Sequence, residues 1–278
     1  MLHNKLKVVL QKMFSSEKLQ LPKEQLDKSS NEISGYKLDY KKGIVYIVEM
    51  GLSEHEAVIE IVGDAFRELC PNATYGNQNN APVQLLGRPL HDMPDGSCRA
   101  PDLAVYPHPT FIPDPPISYP GPPPSDRGGN PYARVILEVA VTQSSSDLRI
   151  KCKLWKRQSY VRSILGIKLY DVLATRDASG CRERAMKATL WRQGVTKQKW
   201  HFGTVDKRGN QFPPGTNICN TANDPNFIIT IPISDIFYDP AILAIGYTGP
   251  LALPIFYNAN VAIDLYIVQQ AVLMNQAK

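Results

Sequence analysis

The chain has 278 residues with a formal net charge of +5, and 43% of its residues are hydrophobic. That length suits one domain with extensions or two small domains, and that apolar fraction is enough for a packed core. No apolar run reaches the roughly 18 residues that a transmembrane helix needs, so no membrane partner is expected. The modest positive charge permits a nucleic-acid partner without requiring one.

The cysteines number five, are widely spaced and contain no Cys-x-x-Cys pair. This pattern argues against a zinc site and against a disulfide framework, and it favours a reducing compartment. The charged N-terminus also lacks the apolar core of a signal peptide. We therefore expect an intracellular protein, cytoplasmic or nuclear.

The N-terminal part, residues 1–42, is rich in lysine after a short amphipathic start and predicts a helix followed by a loose connection. Residues 43–48 read as a strand. Ser53 then predicts the start of a helix, because Glu56 three residues later completes a capping box. Apolar residues follow at helical spacing until Pro71 ends the helix.

The middle of the chain predicts strands at 82–87, 102–106 and 134–141. Residues 107–131 separate the last two and contain ten of the 23 prolines, which predicts a loop. A helix over about 147–163 and strands at 167–173 and 188–191 come next. An extended segment at 227–233, a Pro/Gly-rich apolar stretch at 239–257 and a final helix at about 260–275 complete the chain.

This order of helices and strands predicts an α/β or mixed α+β fold around one sheet. We divide the chain into an N-terminal extension at 1–42, a main domain at 43–235 and an apolar C-terminal extension at 236–278. The last segment also raises the alternative of a structural protein that self-associates into a homo-oligomer.

Glu138 interrupts the apolar run from Val135 to Val141, which predicts a strand buried on both faces. An isolated ionised carboxylate is costly there, so it needs a metal ion or a Lys/Arg partner. A second acid, Asp102, stands at the entrance of another short apolar strand. Two acids on neighbouring strands suggest a metal site, although a structural ion pair at Glu138 and a turn role for Asp102 stay open.

The helix predicted after this strand is strongly basic, with six Lys or Arg against one acid, Asp147. Leu148, Cys152 and Trp155 form its apolar stripe, Lys151 flanks that stripe, and Lys153 points away from it. A basic helix beside two acids is a plausible cradle for phosphates.

The ordered set of motifs resembles the Uma-type restriction endonuclease family of the PD-(D/E)XK nuclease superfamily. The resemblance spans roughly residues 50–192, from the helix that opens with His55 to the strand around Ile167. It is carried by Gly96-Ser97-Cys98-Arg99-Ala100-Pro101-Asp102-Leu103-Ala104-Val105, Ile136-Leu137-Glu138-Val139-Ala140-Val141, Ser144-Ser145-Ser146-Asp147 and Lys151-x-x-x-Trp155.

The resemblance implies a central mixed sheet flanked by helices, with a restriction-endonuclease-like core that hydrolyses phosphodiester bonds of nucleic acid, in the first instance DNA. Asp102 and Glu138 would bind Mg²⁺, with Mn²⁺ as a substitute, and the backbone carbonyl of Val139 would be a further ligand. Hard oxygen ligands do suit Mg²⁺.

The sequence departs from the superfamily motif at Ala140, where a lysine is usual. The resemblance implies that the following helix supplies the lysine, with Lys151 as the candidate and Lys153 as the weaker one. Gln143 and Glu60 are accessory candidates. Because Ala140 cannot do the work of lysine, a catalytically inactive module that binds nucleic acid or a protein partner is the alternative.

Overall fold

A computed structural model describes residues 19–20, 36–41, 44–50, 52–69, 82–93, 98–108, 133–158, 160–177, 179–238 and 258–276. The elements within these ranges form a mixed α+β fold, which confirms the predicted fold class. Its centre is a six-stranded sheet with the order β11-β10-β9-β8-β7-β4. These strands are β4 (Val83–Gly87), β7 (Leu103–Pro107), β8 (Val135–Ala140), β9 (Ser163–Leu169), β10 (Ala185–Arg192) and β11 (Val195–Gly203).

The central sheet is antiparallel except between β8 and β9, which run parallel. A parallel pair needs a crossover connection, and here it is α2 (Ser145–Lys156). The segments that connect β8 to β9 therefore place a basic helix directly against the strand that carries Glu138.

The two faces of the central sheet are covered by different helices. Alternate side chains of β8 and β9 pack in one apolar cluster with α1 (Ser53–Leu69) and α4 (Leu265–Asn275). The intervening side chains, such as Ile136, Ala140 and Ile164, join Trp155 and Cys152 of α2 in a second cluster. This alternation explains why β8 reads as a continuous apolar run, since both of its faces are buried.

Smaller sheets flank this core. Five strands have the order β1-β3-β2-β6-β5, and a two-stranded unit pairs β12 with β13. A short helix, α3 (Ile233–Ile236), follows β12. The flanking strands are β1 (Leu19–Gln20), β2 (Tyr36–Lys41), β3 (Ile44–Met50), β5 (His91–Asp92), β6 (Cys98–Arg99), β12 (Ile228–Pro232) and β13 (Asn260–Asp264).

The helix predicted for 147–163 is displaced and too long. It begins at Ser145 because the Ser144 side chain accepts the Asp147 backbone N–H at 3.1 Å, and Asp147 itself lies in the first turn. It ends at Lys156, and the next strand already starts at Ser163. The strand predicted for 167–173 therefore begins earlier and ends at Leu169.

Three further predictions need correction. The last helix starts at Leu265, because the Asp264 side chain caps it through the Tyr266 N–H, and residues 260–264 form β13. The polar stretch after Arg192 contains β11, a strand that the sequence analysis missed. Tyr36–Lys41 is also a strand, where a loose connection was expected.

The predicted N-terminal helix, most of the loop at 107–131 and the whole of the apolar stretch at 239–257 lie outside the described residues. Within the part of the chain that is described, no helix is long and apolar enough to cross a membrane.

Candidate functional site

Asp102 lies immediately before β7 and is 1% exposed. Its backbone N–H donates to the Leu137 carbonyl of β8 at 3.1 Å, which extends the pairing of the two strands by one bond. Its carboxylate accepts the backbone N–H of Val139 at 2.7 Å through Oδ2. Oδ1 lies 3.3 Å from His55 Nε2, so Asp102 connects β8 to the first turn of α1.

Glu138 occupies the middle of β8 and is also 1% exposed. Trp155 Nε1 donates to Oε1 at 2.5 Å, and the Lys151 ammonium lies 3.0 Å from Oε2. Both partners come from α2, at positions four residues apart, which share one face of a helix. One ammonium group and one indole N–H of the chain therefore compensate the cost of burying this carboxylate.

Lys151 belongs to the buried side of α2, together with Leu148, Cys152 and Trp155. It is 4% exposed, and its ammonium also lies 3.4 Å from the Ala100 carbonyl, two residues before Asp102. The lysine thus stands between Glu138 and the segment that leads into Asp102. Ser144 caps the start of the helix, and so helps to position Lys151 against the sheet.

The two acids lie on adjacent strands, because Leu103 pairs with Leu137 in antiparallel register. Their contacts nevertheless differ, with α1 on Asp102 and α2 on Glu138. Among the residues that the structure describes, no group of three or more His, Cys, Asp or Glu side chains is close enough to hold a metal ion.

The donor types of this site fit Mg²⁺, which commonly binds through one or two carboxylates and keeps several waters. The Val139 peptide, whose N–H contacts Asp102, is adjacent to both acids. A cation at Glu138 would have to share that carboxylate with the Lys151 ammonium, since the two are 3.0 Å apart.

His55 continues the contacts of Asp102 outward to the surface. Its Nδ1 lies 3.3 Å from Glu56 Oε1, and Glu56 in turn forms an ion pair with Arg88. The hydrogen bond from His55, supported by Arg88, holds the pKa of Glu56 below its ordinary value. Glu56 was assigned to a capping box, whereas its described contacts are these two side chains.

Ala140 leaves no side chain at the usual lysine position, but the neighbouring strand has a lysine at the same level. Lys168 of β9 pairs with Ala140 in parallel register, so the two side chains face the same side of the sheet. Its ammonium donates to the Val141 carbonyl at 2.6 Å. Lys168 was not among the predicted site residues, because only the strand register brings it beside Ala140.

The accessory candidates are placed less centrally. Gln143 is half-buried in the turn between β8 and α2, whereas Lys153 and Glu60 are exposed on α2 and α1. His55 and Trp155, assigned only to the helix start and the core, instead contact the two acids directly. A signal for Trp155 was available, since a buried indole N–H needs an acceptor and Glu138 is the acid of the strand beneath it.

Comparison with known proteins adds little to this description. Neither a protein-family model nor a curated protein matches the chain. One similar solved structure is described as "a putative nuclease belonging to DUF820" from Anabaena variabilis ATCC 29413. It has 10% sequence identity and a TM-score of 0.36, over 59% of this chain and 75% of that one.

Proposed function

We propose that this protein is a divalent-metal-dependent endonuclease that hydrolyses phosphodiester bonds of nucleic acid, with DNA as its substrate. The observation that carries the proposal is the Lys151 ammonium 3.0 Å from Glu138, on a strand that pairs with the one Asp102 precedes. Three residues that the motif resemblance implies as a catalytic set thus come from three neighbouring elements.

In this proposal Asp102, Glu138 and the Val139 carbonyl hold Mg²⁺ or Mn²⁺. When bound, the cation supplies an activated water and neutralises charge on the phosphate. Lys151 places a fixed positive charge where the phosphate gains negative charge, which favours the transition state. His55 and Trp155 orient the two carboxylates through their contacts at 3.3 and 2.5 Å.

A second candidate function is a non-catalytic module of the same fold that binds nucleic acid or a protein partner. It is favoured by the protein contacts that both carboxylates already make, with His55 and Val139 on one and with Lys151 and Trp155 on the other. Ala140 at the usual lysine position favours it as well. In that case the acids and Lys151 serve the fold alone.

Cleavage of supercoiled plasmid with Mg²⁺ or Mn²⁺ separates the two candidates. The variants are Asp102→Asn and Glu138→Gln, which keep the shape of each side chain, and the matched control is Glu68→Gln at an exposed position of α1. We expect cleavage by the wild type and the control, and its loss in the two site variants. Circular dichroism checks that each variant is folded.

Two results would decide against this assignment. Equal cleavage by wild type and both site variants would remove Asp102 and Glu138 from the active site. Salt-sensitive DNA binding by folded wild-type protein, without cleavage under either metal, would establish the binding module instead.

A further inference from the structure

A basic groove lies on the α2 side of the central sheet, alongside α2. Its volume is about 140 Å³. The floor includes Gly166 of β9, α2 contributes one wall, and β10 and β11 contribute the rest. The basic residues of its lining are Arg149, Lys168, Lys187, Lys197 and Lys199.

Strand register explains why basic side chains gather there. Lys168 of β9 pairs with Lys187 of β10, which pairs with His201 of β11. One step along, Gly166 pairs with Thr189 and Thr189 with Lys199. Paired residues of antiparallel strands project from the same face, so these residues share the side of the sheet on which α2 lies.

The charged residues among the described lining of the groove are all basic. Five of the described lining residues are Lys or Arg, and none of the described lining residues is Asp or Glu. The pKa of Lys187 is lowered by burial and then by Lys199, Lys207, Lys197 and Arg149, so the ammonium groups lie close enough to repel one another. Such an arrangement attracts an external anion, which would relieve the repulsion.

We propose that this groove binds the phosphodiester backbone of the nucleic acid that the carboxylate site acts on. The proposal rests on the proposed function for the identity of the anion, and it adds where that polymer lies. The groove is one strand away from the acids, because its floor residue Gly166 pairs directly with Glu138.

The repeat of charges fits a polymer better than a single phosphate. Lys197 and Lys199 alternate along β11, which spaces them by about 6.8 Å on one face. Cations at such a spacing match neighbouring phosphates of a polymer. Trp191, the aromatic side chain of the lining, is only 8% exposed and is not available for stacking on bases. Contacts to the backbone alone make the binding independent of sequence.

The test measures binding without cleavage, by fluorescence anisotropy of a labelled DNA duplex in EDTA over a series of salt concentrations. The groove variant is Lys197→Gln/Lys199→Gln, and both residues are exposed, so folding is not at stake. The matched control is Arg157→Gln/Arg176→Gln, which removes the same charge from exposed positions outside the groove lining.

We expect the groove variant to bind more weakly and its plot of log affinity against log salt to be less steep by about 1 for each lysine removed. The control should keep the wild-type slope. An equal change in both variants would overturn the proposal, because only net charge would then matter.

A competition experiment tests the chemistry of the partner. Unlabelled DNA and poly-glutamate are compared as competitors at equal total charge. If poly-glutamate displaces the labelled DNA as effectively as unlabelled DNA, the groove binds acidic protein segments and the proposal is overturned. Binding is measured without metal, so it can be interpreted even if the cleavage assay shows that the protein is not a nuclease. Likewise, if the groove variant binds DNA as well as the wild type, the groove proposal fails and the cleavage result still stands.

Discussion

The carboxylate site and the basic groove lie on adjacent strands, yet charges of opposite sign are paired in the site and like charges lie together in the groove. In the site, Glu138 is met by Lys151 and Trp155, and Asp102 by His55 and the Val139 N–H. In the groove, lysines face other lysines. The difference indicates that the first cluster is stable without a ligand, whereas the second gains stability from an anion.

Burial is the physical reason for this difference. Glu138 and Lys151 are almost wholly withdrawn from water, where an unpaired charge is very costly, so each requires the other. Lys197 and Lys199 remain exposed, and solvent and salt screen their repulsion. The groove can therefore carry unbalanced charge that the site could not.

The largest expected effect comes from breaking the buried ion pair. Lys151→Met leaves the Glu138 carboxylate buried without its cation, which should lower the free energy of unfolding by about 3–5 kcal/mol. Lys199→Met in the groove should change it by no more than about 0.5 kcal/mol, as for other surface sites. Urea denaturation measures both.

The double variant Lys151→Met/Glu138→Gln provides the control for that experiment. It removes both charges and keeps an acceptor for the Trp155 N–H, so most of the lost stability should return. If Lys199→Met were as damaging as Lys151→Met, the contrast between the two regions would be wrong.

Next in size is the difference between the two buried lysines, one in each region. Because Lys151 contacts Glu138 while Lys168 is held by the Val141 carbonyl, Lys151→Gln should slow single-turnover cleavage by about 10²-fold or more. Lys168→Gln should slow it by less than about tenfold on the same scale. The reverse order would mean that Lys168 takes the place of the lysine absent at Ala140.

Gly166 lies between the two regions, because it pairs with Glu138 and lines the groove. A Cβ at this position would lie 2.9 Å from Trp191 and 3.0 Å from Cys152 Sγ. Gly166→Ala should therefore destabilise the protein by about 1–3 kcal/mol, as overpacking does elsewhere. Thermal unfolding of Gly166→Ala/Cys152→Ala should show partial recovery, since one of the two close contacts is gone; strictly additive losses would contradict the crowding.

The smallest effect concerns His201 at the edge of the groove. Burial first, and then Lys187, Lys199 and Lys207, hold its pKa below the ordinary value. The unfolded chain therefore takes up this proton at higher pH, and the contribution of His201 to stability is lost as pH falls through the folded pKa. An NMR titration should show the pKa rising with added salt and in Lys199→Gln, and not in Arg176→Gln.

Much of the carboxylate site was predictable from the sequence. The apolar runs around Glu138 and after Asp102 predicted buried strands, and both strands exist. Helical spacing put Lys151 beside the buried stripe of α2, where it lies. The contact between His55 and Asp102 was not predictable in this way, because it joins residues 47 positions apart through tertiary packing alone.

The groove was harder to predict, because its charged residues weaken the apolar pattern by which a strand is recognised. Val195–Gly203 has exposed side chains over most of its length, so the usual apolar signal of a strand is weak. Its alternation is still visible, with Lys197, Lys199 and His201 on one face and Trp200 and Phe202 on the other. Asp264 likewise caps the last helix, and its side chain marks the point where the strand at 260–264 ends and the helix begins.

The series of contacts from Asp102 to His55, from His55 to Glu56 and from Glu56 to Arg88 has one more consequence. Although Asp102 is buried, these residues lead from it to a half-exposed guanidinium at the surface. One imidazole ring is therefore the only described side chain between the exposed Glu56 and the buried Asp102. A substitution at Glu56 can thus change the orientation of the buried acid without altering any residue of the sheet.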